Sequence, residues 1–175
     1  ADVSLWELTN AFRCLANEGQ WSGLRFTSGE KGSAQKKWIF SKEATFLISD
    51  ILSDREARSA TFGLENPLST RFWTAVKTGT SKDMRDNWCI GYSRKYTVGV
   101  WTGNFSGDPM WNVSGVTGAA PLWTEMMDFL HRDVPSIKQE ASCNLVRKKI
   151  EFSQDVAASR EEWFIRGTEP NLQSQ

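Results

Sequence analysis

Apolar residues near the start of the chain recur every three or four positions, and this spacing predicts a helix. Its apolar positions are Leu5, Leu8, Phe12 and Leu15. Ser4 and Glu7 have the spacing of a capping box, in which each side chain accepts a bond from the backbone N–H of the other residue, so we expect the helix to begin after Ser4. Gly19 stands where a glycine commonly ends a helix.

A second helix is predicted from Ser41, which is suited to be its N-cap. Its apolar positions are Ala44, Leu47, Ile48, Ile51 and Leu52. Two short β-like runs, 23–26 and 37–40, come before it and are joined by a loop rich in glycine, serine and lysine. The segment 54–70 after it is polar, and its pattern predicts a long connection.

The period then changes to two, which predicts a strand over 72–80. Threonines alternate along it with Lys77 and Gly79, so the two sets would face opposite sides of a sheet. Two more runs, 87–92 and 96–104, predict strands separated by a short turn. We therefore expect an antiparallel hairpin here.

The remainder of the chain predicts a glycine-punctuated loop over 105–120 and then a helix, for which Pro121 suits the first turn. The apolar positions of this helix are Leu122, Met126, Phe129 and Leu130. A strand is predicted at 145–152 and a short closing segment at 160–170. This order of elements predicts an α+β domain in which helices flank an antiparallel sheet.

Charge and composition exclude several classes of protein. The chain carries 21 Lys and Arg against 21 Asp and Glu, a balance that argues against binding to nucleic acid. The longest uncharged stretch, 109–124, is too short and too polar to span a membrane, and the N-terminus lacks the pattern of a signal peptide. One histidine and three widely spaced cysteines predict no metal site. We expect Cys14, Cys89 and Cys143 to be buried, reduced thiols.

The run Lys77-Thr78-Gly79-Thr80-Ser81 is the main candidate for chemistry. On an edge strand, the lysine would supply positive charge, the threonine hydroxyls could bind a carboxylate, and the glycine would let an extended peptide lie close to the strand. The backbone N–H just beyond the glycine could also stabilise an oxyanion. The tripeptide K-T-G alone, however, favours a simpler interpretation: a strand that ends in an exposed, threonine-rich turn.

The surrounding sequence favours the functional interpretation, because it resembles the transpeptidase domain of class A penicillin-binding proteins, specifically the type 1C branch. Around the K-T-G run, the similar segments are KTGTSKDMRDNWCIGYS (77–93), YTVGVWTGNFSGDPM (96–110) and VSGVTGAAPLW (113–123). Elsewhere they are LWELTNAFRCLANEG (5–19), DREARSATFGLENPL (54–68) and EWFIRGTEP (162–170). The resemblance extends over nearly the whole chain.

This resemblance implies the distal part of the penicillin-binding and serine β-lactamase-like fold. The expected function is D,D-transpeptidation of peptidoglycan stem peptides in the periplasm, without a cofactor, by a parent protein anchored upstream in the inner membrane. β-Lactams would bind as mimics of the D-Ala-D-Ala end. Residues 1–133 would form the part of the domain that contains the K-T-G strand, and residues 134–175 would be a linker toward a further C-terminal domain.

The resemblance also implies roles for individual residues. Lys77 would be the catalytic member present in this chain. The residues implied in substrate binding are Thr78, Gly79, Thr80 and Ser81. Arg85 and Asp86 follow directly, and the sequence leaves open whether they border the cleft or pair with each other. We interpret His131 as a surface residue or one that interacts with a helix dipole, rather than as a catalyst.

The sequence departs from the family in its motif order. The family's nucleophile lies in an S-x-x-K motif and its helper serine in an S-x-N motif, and both come before K-T-G. Here S-x-x-K occurs at 28–31 and 33–36, in a glycine-bearing loop, and the only S-x-N, at 142–144, follows K-T-G. We interpret all three as coincidental, so this chain alone is expected to be inactive. A non-catalytic periplasmic binding or scaffold module of the same fold is the alternative.

Two structural expectations follow. Trp73, Trp88 and Trp101 fall in the three predicted strands, so they are expected to be core and cleft-wall residues. Without the helix that carries S-x-x-K, the sheet is expected to expose apolar surface and to favour self-association.

Overall fold

The computed structural model describes residues 3–27, 35–63, 66–150 and 159–170. Its first element is helix α1 (Leu5–Ala16), which begins at the expected capping box between Ser4 and Glu7. The predicted first strand at 23–26 is wrong, because β1 (Gln20–Trp21) comes earlier and pairs with β2 (Lys37–Trp38).

Gly19 is the reason for this early start. Its φ of +94° turns the chain directly out of α1, and its carbonyl accepts a bond from Ile39 N at 2.9 Å. A Cβ at this position would lie 2.2 Å from Phe40 O. Only glycine therefore fits the turn without strain.

The second helix, α2 (Lys42–Ser53), begins as predicted, with Ser41 Oγ accepting a bond from Ala44 N at 3.1 Å. The predicted apolar face is wrong, because the buried residues are Thr45, Phe46 and Ser49. Ser49 Oγ lies 2.8 Å from Tyr92 OH, so this buried hydroxyl has a partner and its burial is inexpensive.

A third helix, α3 (Arg55–Phe62), lies within the segment that the pattern predicted to be a connection. Asp54 caps it by accepting a bond from Ala57 N at 3.0 Å, and Gly63 ends it with a φ of +81°. The helix was missed because its sequence is polar and has no apolar stripe. The cap residues were the available signal.

The central sheet consists of β3 (Ala75–Thr80), β4 (Asp86–Tyr92) and β5 (Thr97–Gly103), in the order β3-β4-β5 and antiparallel throughout. A short 3₁₀ turn (Lys82–Met84) joins the first two strands. The predicted hairpin is confirmed. β3 begins three residues later than predicted, because Trp73 N already bonds Ser136 O at 3.2 Å, outside the sheet.

Helix α4 (Ala119–Leu130) covers one face of this sheet and forms the main core with it. The predicted apolar face of α4 is mostly wrong. The helix buries Ala119, Ala120, Trp123 and Met127, while Leu122, Met126 and Phe129 are exposed. Both stripes of the helix are apolar, so periodicity could not choose between them. The stripe that contains the two alanines is buried, because their small side chains let the helix approach the sheet closely.

The last two strands, β6 (Leu145–Ile150) and β7 (Arg160–Ile165), form an antiparallel hairpin. The predicted strand at 145–152 is therefore found as far as Ile150; its last two residues lie outside the described part. The hairpin packs against α2, where the rings of Phe46 and Trp163 meet edge to face at 5.5 Å.

Two of the three cysteines are buried, as expected. Burial raises the pKa of the Cys89 thiol to about 12 and also raises that of Cys14. The expectation for Cys143 is wrong, because this residue lies in an exposed turn before β6. Within the described ranges, no helix is long and apolar enough to cross a membrane.

Candidate functional site

The K-T-G run lies on β3, which is an edge strand of the three-stranded sheet. Ser81 N bonds Asp86 O at 2.9 Å, and this bond sets the phase of the ladder between β3 and β4. Because bonded and non-bonded pairs alternate in an antiparallel ladder, the backbone groups of Thr78 and Thr80 point away from β4. They are therefore directed to the open edge of the sheet.

Lys77 lies at this edge. Its side chain is exposed, and Nζ donates a hydrogen bond to Thr78 O at 2.6 Å. The Thr78 carbonyl can accept this hydrogen bond because it makes no ladder bond to β4. The ammonium group therefore lies beside the edge to which the backbone groups of Thr78 and Thr80 point.

A cavity of about 460 Å³ adjoins the K-T-G run on the α1 side of the sheet. Its lining residues are Val3, Leu8, Phe12, Lys77, Thr78, Gly79, Asp86, Trp88 and Ile90. The walls are mainly apolar, while Lys77 and Asp86 provide the charged groups. The cavity thus has the usual character of a ligand site, an apolar surface with a few polar groups.

Packing within the chain does not require a glycine at position 79. A Cβ built there would lie 3.6 Å from Trp88 Cβ, an ordinary contact. Gly91 on the next strand is different, because a Cβ there would lie 2.7 Å from Ala75 O. The absent side chain of Gly79 leaves the surface of β3 open to a molecule that approaches from outside.

The hydroxyls of Thr80 and Ser81 have partners within the chain. Thr80 Oγ1 accepts a bond from Gly115 N at 2.9 Å, and Ser81 Oγ accepts one from Asp86 N at 2.8 Å. Thr80 therefore holds the loop after β5, and Ser81 closes the turn between β3 and β4. Each hydroxyl keeps its own proton for a further partner.

The residues that support β3 from the α4 side were not predicted from the sequence. Gly115 packs so closely that a Cβ there would lie 2.7 Å from Gly79 O. Asn87, fully buried, donates from Nδ2 to Val113 O at 3.1 Å. The glycines of the segment 113–118 were the available signal, because close backbone approach requires them.

The sequence left open whether Arg85 and Asp86 border the cleft or pair with each other, and in the structure the two residues have different environments. Arg85 pairs with Asp83 at 3.9 Å and does not pair with Asp86. Asp86 borders the cavity, and its Oδ1 accepts a bond from Trp101 Nε1 at 2.9 Å. The Trp101 ring in turn meets that of Trp88 at 6.5 Å. These two half-buried indoles lie on the cavity side of the sheet.

The S-x-N sequence lies away from this cavity. Ser142 and Asn144 both donate to Glu43 at the start of α2. Of the two S-x-x-K sequences, Ser28, Lys31 and Ser33 lie outside the described residues.

The interpretation of His131 as a surface residue is wrong. Its side chain is buried, and Nδ1 donates to the carbonyl of Val134. Nε2 lies 2.7 Å from Ser93 Oγ. The ring therefore ties the end of α4 to the turn between β4 and β5, which is a structural position at the opposite end of β4 from the K-T-G turn.

No family model matches the chain, whereas individual relatives do. It is 26% identical over 150 residues to penicillin-binding protein 1C of Escherichia coli, covering 86% of this chain and 19% of that protein. It is 30% identical over 115 residues to penicillin-binding protein 1A of Clostridium botulinum, covering 66% and 14%. The crystal structure of penicillin-binding protein 1A from Haemophilus influenzae matches with a TM-score of 0.76 at 19% identity, over 97% of this chain and 33% of that one.

These relatives confirm the resemblance and the fold class that the sequence predicted. They include proteins of both the 1A and the 1C type. The chain spans only 19% and 14% of the length of the two curated relatives compared above.

Proposed function

Because this chain is a homologue of the penicillin-binding proteins and has the fold of their transpeptidase domain, we propose that it forms the K-T-G side of the cleft of a peptidoglycan D,D-transpeptidase. The observation that carries this proposal is the open edge of β3, to which the backbone groups of Thr78 and Thr80 point and where Lys77 Nζ bonds Thr78 O. The proposed place of action is the periplasm, on a parent protein anchored in the inner membrane.

The proposed substrate is the D-Ala-D-Ala end of a stem peptide, which would lie along β3 as an added strand. Lys77 would attract the terminal carboxylate, and the free protons of the Thr78 and Thr80 hydroxyls would bond it. The surface over Gly79 would let the two backbones approach. β-Lactams, as mimics of this end, would occupy the same edge in the intact domain.

The Thr80 N–H is the proposed oxyanion donor of the cleft. It points to the open edge, and the bond that Gly115 N donates to Thr80 Oγ1 fixes the residue in place. In acyl transfer, a donor of this kind is worth about 3–4 kcal/mol of transition-state stabilisation. The nucleophilic serine would attack the penultimate D-Ala carbonyl carbon, and the terminal D-Ala would leave with a proton on its nitrogen. An amine of a second strand would then displace the serine ester.

Binding of a diacyl-lysyl-D-Ala-D-Ala peptide, measured by calorimetry, tests the proposal. We expect the D-Ala-D-Ala peptide to bind to this chain and the L-Ala-L-Ala isomer not to bind. The affinity for the D-Ala-D-Ala peptide should be about tenfold weaker in the Lys77→Gln variant. Lys82→Gln is the matched control, since it removes a lysine just beyond the strand. Equal affinity for the two isomers, or an equal effect of the two substitutions, would contradict the proposal.

The chain alone is proposed to form no acyl-enzyme. None of the described helices carries an S-x-x-K sequence, and both copies fall in a glycine-bearing sequence, 28–36, whose composition does not favour the helical turn that aims the lysine at the serine. Incubation with a fluorescent penicillin should leave the chain unlabelled in a denaturing gel. A covalent adduct that survives denaturation would refute this point.

The alternative is a non-catalytic binding or scaffold module of the same fold. The two functions differ in whether the K-T-G edge is used. Partner proteins that a pull-down recovers equally with Lys77→Ala and Thr78→Ala would favour the scaffold. Loss of D-Ala-D-Ala binding in the same variants would favour the transpeptidase.

A further inference from the structure

A second cavity, of about 640 Å³, lies at the end of α1 and is strongly polar. Its described lining residues include Arg13, Arg25, Lys36 and Arg94, and Glu18 is the one acid among them. The whole chain has a net charge of zero, so this concentration of positive charge is local. The remaining lining residues are Ala16, Asn17, Gln20, Ser22, Gly23 and Leu24.

Glu18 pairs with one of these four cations, Arg94, and leaves the other three without it. Glu18 already pairs with Lys42 at 2.9 Å, outside the cavity lining, and with Arg94 at 3.6 Å. These two partners lower the pKa of Glu18, so it is held in its charged form by groups other than Arg25 and Lys36. Among the described residues, Arg25 and Lys36 have no acidic partner within ion-pair distance.

Arg13 is held in place at the cavity wall. Its Nε donates to Asn10 Oδ1 at 2.9 Å, and one terminal nitrogen donates to Ser22 Oγ at 2.9 Å and to Ser22 O. Burial lowers the pKa of Arg13, and the like charge of Arg25 lowers it further. Arg13 and Arg25 thus line the same cavity and repel each other, an arrangement that a bound anion would stabilise.

We propose that this cavity binds a phosphate-class oxyanion with at least two negative charges, such as a phosphate monoester or a diphosphate. Planar guanidinium groups match phosphate geometry through paired N–H donors, and Lys36 adds a point charge. Four lining cations against one acid favour a multiply charged anion over a single carboxylate. The fixed Arg13 supplies an ordered wall, which reduces the entropic cost of binding.

This site is distinct from the K-T-G cavity. Arg94 belongs to the turn between β4 and β5, whereas the K-T-G run ends at the turn between β3 and β4. The two turns lie at opposite ends of β4, a seven-residue strand about 20 Å long. Anion binding at this cavity therefore does not depend on the proposed transpeptidase function of the K-T-G edge.

Calorimetric titration with inorganic diphosphate at low salt tests the proposal. We expect saturable binding to the unmodified chain and about a tenfold weaker affinity in the double variant Arg25→Gln/Lys36→Gln. The matched control is Lys82→Gln/Arg85→Gln, which removes two positive charges at the opposite end of the sheet and should leave the affinity unchanged. Circular dichroism verifies that both variants are folded.

A second arm identifies the source of the phosphate group. Vesicles that contain phosphatidic acid are compared with pure phosphatidylcholine vesicles in a sedimentation assay. Co-sedimentation that depends on Arg25 and Lys36 assigns the site to a lipid headgroup, whereas diphosphate binding without co-sedimentation assigns it to a soluble ligand. No diphosphate binding, or an equal loss in the control variant, overturns the proposal.

Discussion

At the scale of single residues, glycine positions differ in whether packing within the chain requires the absence of a side chain. Gly91 is required by its neighbours, since a Cβ there would meet the Trp123 ring, Ala75 O and Val76 Cβ within 3 Å. Gly79 has only an ordinary contact at 3.6 Å. An explanation for Gly79 therefore has to come from outside the chain, and a peptide on the β3 edge provides one.

Substitution of these two glycines separates folding from binding. We expect Gly79→Ala to change the free energy of unfolding by less than about 0.5 kcal/mol. It should nevertheless weaken binding of D-Ala-D-Ala, because the methyl group occupies the approach surface. Gly91→Ala should destabilise the fold by about 2–3 kcal/mol through overpacking. Urea unfolding and calorimetry measure the two effects. Unchanged peptide binding in Gly79→Ala would count against the edge as the binding surface.

The cysteines provide a second residue-scale prediction. The pKa of Cys89 is raised to about 12 by burial, and that of Cys14 is also raised, while Cys143 is exposed. Because the thiolate is the reactive form, iodoacetamide at neutral pH should modify Cys143 first. Mass spectrometry of the native chain identifies the site. Early modification of Cys89 would mean that the face between the sheet and α4 opens in solution.

At the scale of elements, the loop after β5 supports the K-T-G strand. Gly115 is buried, and its N–H has the Thr80 hydroxyl as its acceptor. The strand and the loop are therefore coupled, although about 35 residues separate them in the chain. A change in this bond should affect both the fold and the binding edge.

Replacement of Thr80 by valine tests this coupling. The substitution leaves the buried Gly115 N–H without a partner, which should cost about 1–2 kcal/mol. Amide hydrogen exchange should become faster at Gly115 and in the loop around it. Thr80→Ser keeps the acceptor and should behave like the unmodified chain. Equal exchange rates in the valine and serine variants would show that the bond does not hold the loop.

Some elements of the fold could be predicted from local signals in the sequence, and others could not. The β4–β5 hairpin and the K-T-G strand were predictable, because alternation and short turns are local signals. The buried face of α4 was not, because Trp123 and Met127 compete with an equally apolar stripe on the outside. The buried Ser49 could not be predicted either, since its partner Tyr92 lies in a distant strand.

The candidate site was predictable to a similar extent. The K-T-G residues form a recognisable motif, and their position on an edge strand follows from the hairpin beside them. The roles of Gly115 and Asn87 depend on a loop that folds back onto the sheet, so no local pattern indicates them. The partner of Asp86 also required the structure, because Trp101 lies on the neighbouring strand.

At the scale of the whole molecule, large apolar side chains remain on the surface. Phe105 and Trp111 are almost fully exposed, and Phe26 is 76% exposed. Trp6 stacks on Phe26 with the ring centroids 4.5 Å apart, so the two form a continuous aromatic surface. Surfaces of this kind commonly serve as interaction sites or favour aggregation.

Self-association is therefore expected for the isolated chain. Light scattering should report a mass above that of a monomer, increasing with protein concentration, and a hydrophobic dye should bind. Phe26→Ser should shift the distribution toward monomer, whereas Arg132→Gln, a charged surface change on α4, should not. A dispersed monomer that binds no dye would contradict this expectation.

Hydrogen exchange at the β3 edge tests whether this strand is the open binding edge for the peptide. We expect slow exchange for the N–H groups of Lys77 and Gly79, which bond β4, and fast exchange for those of Thr78 and Thr80 in the free chain. A D-Ala-D-Ala peptide should protect the Thr80 N–H, and its L-Ala-L-Ala isomer should not. A Thr80 amide that is already protected in the free chain, or one that stays exposed when the peptide is bound, would show that the β3 edge is not the binding surface.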